Sequence, residues 1–276
     1  MNTISKIMPY EMFGGYLFRL ALMNGKSATQ VSDRARHDKS FFRSLLDYNN
    51  LSEDTLYRKH AFVLKRPNIE NNALAKAILF PKKYFSLSYS FCELCLEEDF
   101  EEYGHTYYRS HLQPRCIFSC PNHNAILSVN SGMLFAKYDF QTGFSPSREL
   151  CSESLFKLSR TASNILLQGS LDFDRENLCR LLRLRSREEA TIKSSLQSIF
   201  DGRSISIIKS RFDRNYSRYI DLYRPAFDNS RRISDAELIF YALTLLGEKV
   251  NESLFSIKYP SHELPAAQQR PRYRYI

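Results

Sequence analysis

Long hydrophobic runs are missing from this sequence. The longest, Leu238 to Leu246, is nine residues and is interrupted by Thr244. That is about half of what a bilayer-spanning helix needs, so no transmembrane segment is expected. The opening Met-Asn-Thr-Ile-Ser-Lys-Ile-Met-Pro has no basic stretch leading into an apolar one, and no secretory signal is expected. Cysteine is scarce, with six in 276 residues, too few for a disulfide-built scaffold. Tryptophan is absent. There is no internal repeat, no low-complexity block, no G-x-S-x-G elbow, no H-E-x-x-H and no dinucleotide-binding glycine pattern. Gly25-Lys26-Ser27 looks like the end of a phosphate-binding loop, but such a loop needs a glycine five residues earlier, where Leu20 stands. No catalytic constellation emerges, and the expectation is a soluble, non-enzymatic protein of the cytoplasm.

What is present is ordinary globular material. Hydrophobic residues make up 43% and charged residues 25%, and 276 residues suffice for one large or two ordinary domains. Thirty-nine Lys plus Arg against thirty Asp plus Glu leave a net charge of +9. An excess of that sign favours a polyanionic partner through counterion release.

Most of the punctuation is helical. Pro9 opens a segment in which Phe13, Tyr16, Leu17, Leu20 and Ala21 recur at helical spacing, and Asn24-Gly25 closes it. Ser40 precedes Phe41, Phe42, Leu45 and Leu46, and Ser52 precedes an acidic start and then Leu56, Ala61 and Leu64. Each predicts a short capped helix. Residues 9 to 65 thus form a cluster of small helices, a pattern that includes helix-turn-helix folds. From Phe85 to Ser131 the helical period disappears. It returns after about residue 148, with a helix through Leu155 and Leu166. A pair at Glu176–Leu184 and Arg187–Phe200 follows, stopped by Asp201-Gly202, and an apolar helix at Ser234–Leu246 comes last. The expected fold is mostly α: a helix-turn-helix-like N-terminal region (1–84), an embedded zinc-binding module (85–131), a helical C-terminal domain (132–257) and an extended tail (258–276).

The sharpest signal is a cysteine cluster. Cys92-Glu-Leu-Cys95 is a C-x2-C knuckle, and Cys120-Pro-Asn-His123 is a C-x2-H knuckle, with twenty-four residues between them. A two-residue gap lets one tight turn aim both ligands at one ion, and two knuckles complete the tetrahedron that zinc prefers. A filled sphere points to one structural Zn2+ rather than a catalytic one. The separation exceeds that of a DNA-reading finger, so no finger helix is expected in the major groove. Cys116 lies four residues before Cys120 and could replace His123; the knuckle spacing favours His123, with Cys116 a small buried hydrophobe.

The run Cys92-x2-Cys95, Asp99, Tyr103-Gly104, Tyr107-Tyr108-Arg109, His111, Pro114 and Cys120-Pro-x-His123 resembles the zinc-binding region of the TniQ/TnsD proteins. These are bacterial target-selection proteins of DNA transposons. Pro9, Glu11, Phe13, Tyr16-Leu17, Arg19-Leu20-Ala21 and Asn24-Gly25 look like that family's opening helix, and the likeness extends over roughly residues 6 to 130. Tryptophans usual in the family are replaced here by tyrosines, and Arg115 stands where a glycine is usual after the proline. A second zinc-binding stretch is lacking, since residues 124 to 150 hold no Cys or His. The resemblance implies a non-enzymatic adaptor. It would recognise target DNA, or a DNA-bound RNA-guided CRISPR effector complex, and recruit the transposon's AAA+ ATPase regulator. A homodimer is left open. The competing reading is a stand-alone zinc-containing DNA-binding regulator.

Two charge features remain. Glu93, Glu97, Glu98, Asp99, Glu101 and Glu102 give the zinc module an acidic face, which is either a dock for a basic partner or an ordinary solvated surface. Residues 203 to 232 carry Arg203, Lys209, Arg211, Arg214, Arg218, Arg224, Arg231 and Arg232, interleaved with Phe212, Tyr216, Tyr219, Tyr223 and Phe227. Cations on phosphate with aromatics on bases would make this a nucleic-acid surface, and aromatics at helical spacing would equally make it core. On this reading residues 1 to about 130 dock the ATPase and the C-terminal half engages the target.

Overall fold

The first apolar stripe becomes helix α1, Phe13–Met23, whose residues from Phe13 to Ala21 are all buried. A computed structural model describes residues 4–60, 89–130, 149–167, 178, 180, 182, 189–211 and 235–245. Helix α1 ends as Asn24-Gly25 predicts. Gly25 takes φ +58°, its N–H donates to Leu22 O, and Lys26 N–H donates to Ala21 O at 2.9 Å. This left-handed stop places glycine where a Cβ would be strained.

Helix α2, Ala28–His37, follows at once and is absent from the sequence expectation. Its apolar content is small, with only Val31, Ser32 and Ala35 buried, so the helical period is faint. Its start was nonetheless written in the chain. Ser27 Oγ accepts from Gln30 N–H and Gln30 Oε1 accepts from Ser27 N–H, both at 3.1 Å, a reciprocal capping box. Helix α3, Lys39–Asn49, is capped by Asp38, whose Oδ1 accepts from Phe41 N–H at 3.0 Å. Helix α4, Glu53–His60, is capped by Ser52. Tyr16, Leu17, Leu20, Leu45 and Leu56 lie at the centre of the core these helices share.

Beneath that core a buried ion pair holds the entering chain. Glu11 is fully buried and receives Arg19 in a two-bond fork, Nη2 to Oε2 at 2.7 Å and Nε to Oε1 at 3.1 Å. Arg19 also donates to Ser5 Oγ and Lys6 O. Burial pushes the Glu11 carboxyl up and the Arg19 contacts oppose it, so the fork is what keeps this charge tolerable in the interior.

Residues Tyr10 to Met12 then tie this cluster to the next module, with Tyr10 turning the chain at a left-handed φ of +58°. Met12 N–H donates to Tyr108 O at 2.8 Å and Ser110 N–H to Tyr10 O at 2.7 Å. Ser110 Oγ donates to Lys59 O, and Met12, Tyr89, Phe91, Leu96 and Tyr108 form a small apolar cluster at the junction.

The middle module is more regular than the sequence suggests. Strand β1, Tyr89–Phe91, pairs antiparallel with β2, Ser128–Asn130, with Ser90 opposite Val129. Helix α5, Glu93–Tyr103, puts eleven helical residues into the stretch expected to lack helical structure, and Gly104 at φ +69° closes it. Its buried face is only Cys95, Leu96 and Asp99, too short a stripe for a periodic signal.

Helices α6, Glu153–Leu167, α7, Glu189–Ile199, α8, Gly202–Arg211, and α9, Asp235–Leu245, complete the described chain. Asp201-Gly202, expected only as a stop, is also a start, for Asp201 Oδ1 accepts from Ser204 N–H at 2.6 Å. The core of these helices is continuous with the middle module. Phe118 packs edge-on against Phe240, and Phe118 N–H donates to Ser159 Oγ at 3.0 Å. Leu155, Leu196, Ile208 and Leu238 lie in one cluster with Cys92, Cys95 and Cys120. The fold is mostly helical, as expected. The expected helix at Glu176–Leu184 is described only at residues 178, 180 and 182, which are helical; the tail from 258 lies outside the described residues.

The caps make a pH prediction. The Phe41 and Ser40 hydrogen bonds hold the exposed Asp38 carboxyl down at about 2, below its unfolded value of about 3.9. The stability it contributes is therefore present above pH about 4 and lost as pH falls towards 2. The Phe41 amide resonance should titrate with a midpoint near 2, and Asp38→Asn should abolish that titration. Ser27→Ala should cost about 0.5–2 kcal/mol in denaturant unfolding.

Candidate metal centre

Helix α5 positions the first knuckle. Cys92 is its N-terminal flanking residue and Cys95 sits in its first turn, both buried. The expected tight turn is thus the opening turn of a helix. The second knuckle is the turn Cys120–His123, closed by Asn124 N–H donating to Cys120 O and by Cys120 N–H donating to Ala125 O. Asn124 adopts a left-handed φ of +52°.

These two turns meet. One donor atom from each of Cys92, Cys95, Cys120 and His123 falls in a group whose members all lie within 4.8 Å of one another. His123 Nδ1 lies 3.5 Å from Cys92 Sγ, 3.4 Å from Cys95 Sγ and 3.6 Å from Cys120 Sγ, and Cys95 Sγ lies 3.6 Å from Cys120 Sγ. Zinc bonds of about 2.3 Å to sulfur and about 2.05 Å to nitrogen give tetrahedral edges of about 3.8 Å (S–S) and about 3.6 Å (S–N). The donor set and its spacing fit such an ion.

Electrostatics point the same way. Hydrogen bonding from the Cys92 and Cys95 sulfurs pulls the Cys120 thiol down, whereas the bond to Cys120 pushes the Cys95 thiol far up. Crowded buried sulfurs do not ionise together unaided. A divalent cation supplies the charge that lets several thiolates coexist.

The surroundings orient the donors. His123 Nε2 faces Glu98 Oε1 at 3.2 Å, which directs Nδ1 at the sulfurs and selects the tautomer. Sequence reading did not single out Glu98 for this role. It lies three residues after Cys95 on the same face of α5, a signal visible only once α5 is recognised as a helix. Asp99, from the same helix, takes Arg109 in a bidentate pair at 2.7 and 2.8 Å. Cys116, by contrast, is not among the grouped donors; it is fully buried in the apolar core.

The basic residues expected to touch nucleic acid separate. Arg211, at the end of α8, points inward: its guanidinium donates to Ser90 Oγ, to Pro114 O at 3.2 Å and to Ile117 O at 2.9 Å. Those acceptors flank the metal-site loop, so Arg211 is engaged in holding α8 to the module rather than presented to phosphate. Arg203 is exposed and paired with Glu149, and Lys209 is half-buried. Arg214, Arg218, Arg224, Arg231 and Arg232 lie outside the described residues.

Metal analysis checks the donors. Cys116→Ser should retain one zinc per chain and Cys120→Ser should lose most of it. Glu98→Gln should keep the fold but bind zinc about 10–100-fold more weakly. Arg211→Ala should destabilise the chain by about 2–3 kcal/mol in chemical denaturation, since it strands buried carbonyls and removes charge-assisted bonds.

No curated protein matches the chain. A family model, that of TniQ, matches residues 4–127, just under half of it. The buried Glu11–Arg19 fork, the Tyr10–Met12 tie and the four grouped donors all fall inside the matched span. Residues 4–127 are therefore similar to the TniQ family, whose members are transposition-associated target-selection proteins.

Proposed function

We propose that this protein is a non-enzymatic adaptor of DNA transposition, which holds a target and recruits the transposon's AAA+ ATPase regulator to it. The observation that carries the proposal is a closed Cys3His donor set inside the TniQ-matched span. Four protein donors leave no position for a reactive water, so a zinc ion held by Cys92, Cys95, Cys120 and His123 would serve the fold. Target recognition would be of DNA itself or of a DNA-bound RNA-guided CRISPR effector complex. No described helix is long and apolar enough to cross a membrane, which fits work on DNA in the bacterial cytoplasm.

Support for a protein partner comes from α5. Glu98, Glu101 and Glu102 are exposed there, and Phe100 and Tyr103 stand among them at 39% and 36% exposure. Acidic groups around aromatic side chains suit a basic partner surface. Such charges act chiefly on encounter rate and salt sensitivity. The division of the chain at 84, 131 and 257 is retained as a proposal, with the 85–131 module packed against helices on both sides.

The reading is tested by co-purification. The full chain should capture a transposon AAA+ ATPase regulator. Glu101→Gln with Glu102→Gln should slow association several-fold at low salt while leaving the complex detectable at equilibrium. A chain that ignores the ATPase and occupies an operator alone is a stand-alone regulator instead.

A further inference from the structure

Helix α5 is built against its own electrostatics. Glu97 and Glu101, like Glu98 and Glu102, stand four residues apart, the spacing at which side chains on a helix meet and like charges repel. Glu101 and Glu102 lie in the last turn, which holds no basic residue, although the carbonyl end of a helix favours cations. Burial, with Glu98 and Glu102 adding to it, pushes the Asp99 carboxyl up to about 6 against the pull of Arg109. Arg109 is committed to Asp99 and the His123 ring to Glu98. Among the described residues no lysine or arginine pairs with Glu97, Glu101 or Glu102. The complementary charge stands at the far end of the sequence. Residues 264–276, outside the described residues, hold Arg270, Arg272 and Arg274 and no Asp or Glu, with Pro271, Tyr273 and Tyr275 at the alternate positions.

We infer that the segment Arg270–Ile276 docks on the acidic face of α5, so that a basic partner has to displace it. The docking stands on charge and spacing; its competition with the ATPase rests on the proposal that α5 meets that partner. Arginines at every second residue of an extended segment recur about every 6.5–7 Å. Carboxylates four apart on a helix recur about every 6 Å, so successive arginines can meet Glu97 and Glu101 in step while another reaches Glu102. Arginine also stacks on aromatic faces, and Phe100 and Tyr103 are exposed among the carboxylates. The reach is ample. Arg270 is 25 positions beyond Leu245, the last residue of α9, a length that spans at most about 80–90 Å extended. Leu238 and Phe240 of α9 share one core cluster with Cys95 of α5. A tethered segment competes at an effective concentration on the order of millimolar, which favours this chain's own arginines over those of a second copy.

The test is tryptic cleavage of the full chain, followed by mass spectrometry at Arg272 and Arg274; Pro271 shields Arg270 from trypsin. The wild-type protein should be cut slowly at both. Glu101→Gln with Glu102→Gln should speed the cuts about 3- to 10-fold, the loss expected for two exposed ion pairs. Raising salt from about 50 mM to about 500 mM should do the same to the wild type. Asp33→Asn with Glu153→Gln, which removes the same charge from α2 and α6, should change neither cut. Circular dichroism and zinc content certify that the variants are folded. Equal cleavage of the wild type and the α5 variant overturns the inference. Equal release by the α2 and α6 variant does so too, since net charge alone would then hold the segment. Protection that grows with protein concentration places the segment on a second copy, and protection that arises only on adding duplex DNA makes it a nucleic-acid contact; either overturns the inference. Association with the ATPase is measured separately. Arg272→Gln with Arg274→Gln, by uncovering α5, should speed it several-fold. An unchanged rate beside a protected segment overturns the competition, and with it ATPase docking on α5, while the docked segment stands.

Discussion

Three sulfurs and an imidazole nitrogen brought to 3.4–3.6 Å contacts in the interior are a demand as much as a site. Thiolates so close repel, and burial penalises each charge; a cation satisfies both at once. The rest of the structure is arranged around that meeting. Strand β1 delivers Cys92, α5 carries Cys95, and the Cys120–His123 turn is held by backbone bonds to Ala125 and Asn124. The same sulfurs line a core shared with α6 to α9. Events at the centre are therefore events in the packing of the C-terminal helices. Binding that closes such a centre is also folding free energy.

On its other side the module is joined to the N-terminal helices by polar links beside the small apolar cluster of Met12, Tyr89, Phe91, Leu96 and Tyr108. Two backbone hydrogen bonds, the Ser110 to Lys59 bond and the contact between His60 Nδ1 and Glu11 O at 2.7 Å hold the seam. Burial lowers the affinity of His60 for a second proton, so the ring remains neutral beside a carbonyl it can serve as donor. Polar seams set register well, because each group has one partner that satisfies it. That suits a scaffold that holds the acidic face of α5 at a fixed relation to the N-terminal helices.

Local devices explain what could be read along the chain. The Asn24-Gly25 stop and the Ser52 start each act within about four residues, and both are where the sequence puts them. The two knuckles were legible for the same reason, each being one turn with two soft donors. Helices α2 and α5 were not found, because their buried faces hold only three residues each. A stripe that short leaves no period, although the Ser27–Gln30 box marked one of them.

Residue type and short spacing therefore determined the mostly helical fold, the four donors and the acidic face. Tertiary structure alone decided the remainder. It seats Cys116 in the core rather than among the donors, and it hands the outer nitrogen of His123 to Glu98. It turns Arg211 in to bond Pro114 and Ile117, ninety-odd residues away in sequence, while leaving Lys26, Lys39 and Arg43 outside. The physical reason is that a charge or thiol has no fixed role of its own. Burial and partner set that role, and both come from chain segments too distant in sequence for any local pattern to register.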